Sequence, residues 1–146
     1  MALEEKINSE IKAAMLAKDA PRLEALRAIK SAILLLKTSP EGYTDESELK
    51  ALQKMVKQRK ETAQIYNEQA RTDLANVELY QAEVIEGYLP KQLTTEELRA
   101  ALKEVISAIG ANSPADLGKA IGAANKALAG KADGKTIAGM VKELLA

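Results

Sequence analysis

The stretch Glu86-Gly87-Tyr88-Leu89-Pro90-Lys91-Gln92-Leu93-Thr94-Thr95-Glu96-Glu97-Leu98 divides the chain. Gly87 ends one helical run and Pro90 cannot continue it, which is how helix C-termini are commonly punctuated. Thr94 and Glu97 then have the S/T-x-x-E spacing in which hydroxyl and carboxylate each satisfy a backbone N–H of the first turn. One helix must stop here and another must start, so the sequence predicts two helical domains, residues 1–92 and 93–146.

Upstream, Leu3, Ile7, Ile11 and Ala14 repeat at helical spacing, as do Leu23, Leu26, Ile29, Ile33 and Leu36. Asp19 is placed to cap the second of these helices, with Pro21 in its first turn. Ser39-Pro40-Glu41-Gly42 breaks the pattern and Thr44 is the next N-cap. A long helix over about residues 45–70 and a second over about 73–86, capped by Thr72, make a hairpin. Downstream, helices end at Gly110 and Gly130, Ser113 and Asp116 have the spacing of a second capping box around Pro114, and Asp133 caps the last helix. Nothing alternates with period two. The fold class expected is all-α: an N-terminal helical domain with a long hairpin and a C-terminal three-helix bundle.

Composition removes several functions. The chain has 146 residues with 21 basic and 21 acidic side chains, no His and no Cys. That leaves no imidazole base, no thiolate nucleophile and no ordinary zinc ligand set. Phe and Trp are absent and Tyr is the only aromatic, so a single-strand binder that stacks successive bases is disfavoured. No serine lies in a nucleophile elbow and no glycine run has phosphate-loop spacing. The expectation is therefore no catalytic residues, no metal and no cofactor. The longest apolar run, Ala32-Ile33-Leu34-Leu35-Leu36, is too short to span a bilayer. With acids at Glu4 and Glu5 in place of a basic, then apolar leader, the reading is a cytoplasmic protein with no membrane partner.

Charge is zero overall but local. Lys50, Lys54 and Lys57 fall within about a 60° arc of one helix, and Lys60 extends them. They are either its wet face or a track for phosphates. Arg59 lies on the opposite arc among Leu52, Met55, Val56, Ala63 and Tyr66, where it snorkels, pairs with a buried acid or faces a partner. Residues 114–146 carry five Lys against Asp116, Asp133 and Glu143. Within them, Gly118 and Gly122 sit inside a helix, where each glycine costs about 1 kcal/mol against Ala. Either a neighbouring helix or a ligand backbone must approach closely there. Gly130-Lys131-Ala132-Asp133-Gly134-Lys135 is either a cap-to-cap turn or a basic knuckle with free amides suited to phosphate.

These motifs resemble the GatB/YqeY family. Tyr88-Leu89-Pro90-Lys91-Gln92-Leu93 with Thr94-Thr95-Glu96-Glu97-Leu98 is similar to the family's junction. Asp116-Leu117-Gly118-Lys119-Ala120-Ile121-Gly122 and Lys131-Ala132-Asp133-Gly134-Lys135 are similar to its C-terminal motifs. Arg22-Leu23, Leu26-Arg27 and Val56-Lys57-Gln58-Arg59-Lys60-Glu61 are similar to its N-terminal half. Lys131 stands where the family pattern has Arg, which keeps the charge and loses the planar fork.

The resemblance implies a stand-alone YqeY-like protein whose C-terminal domain is similar to the tail of the tRNA-dependent amidotransferase B subunit. That enzyme is a carbon–nitrogen ligase using glutamine as amido donor, and its tail helps hold tRNA. Its amidase and kinase sites lie outside the tail, so the implied role is a non-catalytic module for tRNA or a tRNA-modifying enzyme. The candidate nucleic-acid contacts are Gly118, Lys119, Gly122, Lys126, Lys131, Gly134 and Lys135. The alternatives are a helical protein-interaction adaptor that touches no RNA, and a subunit that supports amidotransferase catalysis in trans.

Overall fold

The computed structural model describes residues 2–146. Among the described residues seven α-helices form in order: α1 (Ala2–Leu16), α2 (Ala20–Thr38), α3 (Asp45–Glu68), α4 (Thr72–Glu86), α5 (Thr95–Ala108), α6 (Leu117–Ala127) and α7 (Gly134–Leu145). A short 3-10 turn, Pro114–Asp116, precedes α6, and no strand occurs among the described residues. The protein is all-α.

Two compact units result, Met1–Leu89 and Pro90–Ala146. Pro90–Gln92, assigned from the sequence to the first domain, group with the second. Long-range hydrogen bonds supply the reason: the Leu93 N–H donates to the Lys131 carbonyl at 2.9 Å, and the side-chain Nε2 of Gln92 donates to the Gly130 carbonyl at 2.6 Å.

In the first unit α1 to α4 enclose one core. Ile7 of α1, Leu26, Ile29 and Ile33 of α2, Leu52 of α3 and Ile85 of α4 are essentially inaccessible to solvent, as the apolar spacings require. Leu3, Ile11, Leu23 and Met55 pack half-buried against them. α3 is 24 residues long, about 36 Å at 1.5 Å per residue, and outreaches this core. Toward its far end only Ala63, facing the α4 side of the hairpin with Ala75, is buried; small side chains there let the two helices approach. The hairpin closes through the Arg71 N–H, which reaches back to the Tyr66 carbonyl at 2.8 Å while Ala70 adopts a left-handed φ of 58°.

Four of the expected caps form. Asp19 accepts from the Arg22 N–H, Thr44 from Ser47, Thr94 from Glu97 and Asp133 from Thr136. Thr94 and Glu97 complete a reciprocal box, and Ser47 does for Thr44 what Glu97 does for Thr94. Two expected caps do not form. Thr72 is already inside α4, whose preceding residue Arg71 makes no side-chain cap. Ser113 makes no cap bond either, because Asp116 is drawn into the 3-10 turn and its carboxylate accepts from the Asn112 N–H at 3.1 Å.

In the second unit α5, α6 and α7 enclose Leu98, Leu102, Ala120, Ala124, Leu128, Ile137, Met140, Val141 and Leu145. Ala120 and Ala124 have no exposed surface at all, so α6 meets the core through its smallest apolar side chains.

Candidate nucleic-acid interface

The orientation of α6 follows from those two alanines. Leu117, Ala120, Ile121, Ala124 and Leu128 turn inward, and everything a third to a half turn away faces solvent. Asn125, Gly118, Gly122, Lys126 and Lys119 occupy, in that angular order, about a 120° arc at 3.6 residues per turn. Gly118 and Gly122 are exposed, and a Cβ built on either would meet nothing within 4 Å. Helix packing therefore does not explain them, since Ala120 and Ala124 perform the close approach on the opposite face. What remains is a strip of bare backbone edged by Lys119 and Lys126.

The turn that follows is held from behind. Gly130 is buried with a left-handed φ of 76°, which glycine adopts without strain. Its carbonyl accepts from Gln92, and the carbonyl of Lys131 accepts from Leu93. Lys131 and Lys135 are exposed on this fixed turn. Lys119, Lys126, Lys131 and Lys135 take part in none of the ion pairs formed among the described residues. The amides of the α7 N-terminus are not all free, however. Asp133 Oδ2 accepts from the Thr136 N–H at 3.3 Å and from the Thr136 hydroxyl at 3.4 Å. A phosphate at that helix end would meet a carboxylate already capping it. Of the two readings of this segment, a cap-to-cap turn and a basic knuckle, the capped turn is formed, with Lys131 and Lys135 exposed on either side of the cap.

Sequence reading passed over Asn125. It lies seven residues beyond Gly118, two turns along the same face, and its Oδ1 is 3.9 Å from where a Gly134 Cβ would stand. The side chain thus lies beside the start of α7, and the i, i+7 spacing was the available signal.

The other basic features have structural employment. Lys50 pairs with Glu46 at 2.9 Å and Lys60 with Glu86 at 2.5 Å, which leaves Lys54 and Lys57 as the unpaired members of the α3 stripe. Arg59 reaches no acid among the described residues. Its Nε donates to Oε1 of Gln81 at 3.0 Å and its Nη1 to the Met55 carbonyl at 3.3 Å, so it fastens α3 to α4.

The acids are likewise occupied as helix-surface groups. The Lys37 ammonium bonded to Glu4 holds that carboxyl below its ordinary range, Lys50 does so for Glu46, and Arg71 for Asp73. Glu97 is lowered by the Thr94 backbone N–H of its capping box. Burial, and then the hydrogen bond to Glu48, pushes the Tyr43 phenol well above its usual value. Among the described residues no group of three acids is arranged to hold a metal ion, and no helix is long and apolar enough to cross a membrane.

The molecule so defined is a two-unit helical protein whose second unit offers a glycine-thinned, lysine-edged helix face. The chain belongs to the Yqey-like protein family, whose sequence model matches residues 4–145. It is also 32% identical over 113 residues to altered inheritance of mitochondria protein 41, mitochondrial, of Clavispora lusitaniae. That match covers 76% of this chain and 66% of the yeast protein, so the chain spans slightly less than two thirds of that relative.

Proposed function

We propose that the second unit is a non-catalytic recognition module that binds the sugar–phosphate backbone of tRNA, alone or together with a tRNA-modifying enzyme such as an amidotransferase. The observation that carries this reading is the exposed face of α6. Two interior glycines there have no neighbour to accommodate. Their cost of about 1 kcal/mol each is offset if a polymer backbone lies against them. Lys119 and Lys126 edge that strip, and Lys131 and Lys135 extend it with unpaired positive charge. Ammonium groups contact phosphates as point charges, which positions a nucleic acid without reading its bases. Membership of the family adds support through its kinship with the amidotransferase tail.

An electrophoretic shift assay with total tRNA at two salt concentrations tests the reading. Binding carried by phosphate contacts weakens steeply with salt as counterions are released.

The adaptor reading is favoured by a different observation, exposed apolar side chains on the first unit: Leu16 is 86% and Leu35 71% exposed. An interface built on these would hold a protein partner with little dependence on salt.

A further inference from the structure

The cationic face of α6 has a counterpart on α7. α7 turns Ile137, Met140, Val141 and Leu145 into the core of its unit, which leaves Lys135, Gly139 and Lys142 exposed on the opposite arc. Gly134, Ala138 and Lys142 follow one another at four-residue intervals, a row that drifts by about 40° per step. Gly134 is the residue beside Asn125, so Lys142 lies on the flank of α7 nearer α6, with Lys135 about 20° further round. Lys142, like Lys135, takes part in no ion pair among the described residues, and the adjacent Glu143 is engaged by Arg99 at 3.8 Å. The surface therefore has two cationic edges, Lys119 and Lys126 on one side and Lys135 and Lys142 on the other. Gly118, Gly122 and Asn125 lie between them, and the Asn125 side chain makes no hydrogen bond among the described residues.

The composition of the second unit distinguishes paired from unpaired RNA. The four Tyr are Tyr43, Tyr66, Tyr80 and Tyr88, all in the first unit, and the chain has no Phe or Trp. The single guanidinium of the second unit, Arg99, is on α5 and engages Glu143. Unpaired bases are held by stacking on aromatic rings or guanidinium planes, and the face between the two lysine edges offers neither. A paired stem needs no such platform. Its A-form minor groove is wide and shallow, with phosphates on both sides and ribose 2′-hydroxyls between them, and it is recognised by shape.

We propose that the α6–α7 surface binds an A-form RNA stem across its minor groove. This rests on the reading of the second unit as an RNA-binding module and narrows its ligand to duplex. Lys119 and Lys126 contact phosphates of one strand and Lys135 and Lys142 those of the other. Asn125 meets the 2′-hydroxyls, which duplex DNA lacks.

The test is fluorescence anisotropy of the full chain with a short dye-tagged RNA duplex, the DNA duplex of the same sequence and one RNA strand alone, with total tRNA measured alongside. Duplex RNA should bind about threefold or more tighter than duplex DNA, the net worth of one hydrogen bond, and tighter than the single strand. Asn125→Ala should bring duplex RNA down to the level of duplex DNA. Lys142→Ala should weaken both duplexes and flatten the slope of log K against log salt by about one unit. Both side chains are exposed, and circular dichroism checks that the variants fold. Single-stranded RNA or duplex DNA held as tightly as duplex RNA, or full binding of duplex RNA by either folded variant, would overturn the duplex assignment, while tRNA binding would leave the broader reading standing. Failure of tRNA and of every probe to bind would overturn both.

Discussion

Gln92 Nε2 donates a 2.6 Å hydrogen bond to the carbonyl oxygen of Gly130, 38 positions along the chain. That bond ties the segment before α5 to the turn that presents Lys131. It also makes Pro90–Gln92 part of the second unit. A fragment of residues 90–146 should therefore be more stable than one of 93–146, by about 1–2 kcal/mol for this bond and its neighbours. Thermal unfolding of both, followed by circular dichroism at 222 nm, measures the difference. Equal stability would show that the bond contributes nothing. Both fragments are short enough to be marginal.

Arg59 and Gln81 make the corresponding tie in the first unit. Gln81 is the one polar side chain among the described residues that is buried, at 8% exposure, and Arg59 supplies its hydrogen bond. Arg59→Ala leaves that amide oxygen unbonded and should cost about 1–3 kcal/mol. Arg59→Ala with Gln81→Leu should recover part of the loss, since the unbonded group is then removed as well. Urea unfolding of the single and double variants is the measurement, and strict additivity would refute the pairing.

Gly118 and Gly122 give a test in which stability and function move in opposite directions. Neither has a left-handed φ and neither faces a neighbour, so Gly118→Ala and Gly122→Ala should each stabilise the protein, by up to about 1 kcal/mol. The same changes should weaken tRNA binding by filling the strip where the backbone lies. Destabilisation would restore the packing explanation.

The pH profile follows from which groups the fold perturbs. Glu4, Glu46, Asp73 and Glu97 have lowered folded values, so their stabilisation is present above the ordinary carboxylate range and lost as pH falls through it. Glu46, Asp73 and Glu97 are exposed and Glu4 is partly covered, so the acid loss should be gradual. Tyr43 is raised, so its contribution is present below about pH 10 and is lost as pH rises beyond its ordinary value of 10.0. With no His or Cys, the melting temperature should be nearly flat between pH 6 and about 9. Tyr43→Phe should flatten the alkaline limb, which differential scanning calorimetry from pH 3 to 11 would register.

Most of the helical plan was legible because it is local. Caps at Asp19, Thr44, Thr94 and Asp133 act within one turn, and the stripes through Ile7, Ile29 and Ile33 are periodic. The Ser113 box was misread because Asp116 has a competing acceptor role toward Asn112, which spacing alone does not reveal. The lysines and glycines of α6 were readable as a face. What that face lacks, a packing neighbour, was not readable. The bond from Gln92 to Gly130 joins residues too far apart for any local pattern, and the same holds for Arg59, for which the sequence left snorkelling, a buried acid or a partner open and which bonds to Gln81.

The central claim is that phosphate contacts on the α6 face and the adjoining turn hold tRNA. Its most direct test is the salt dependence of tRNA affinity for the wild-type chain and for the doubly substituted Lys131→Ala, Lys135→Ala chain, with folding verified by circular dichroism. The account predicts weaker binding by the variant and a slope of log K against log salt flatter by about two units. Unchanged affinity and slope in a folded variant would contradict it and direct attention to Lys54 and Lys57 on α3.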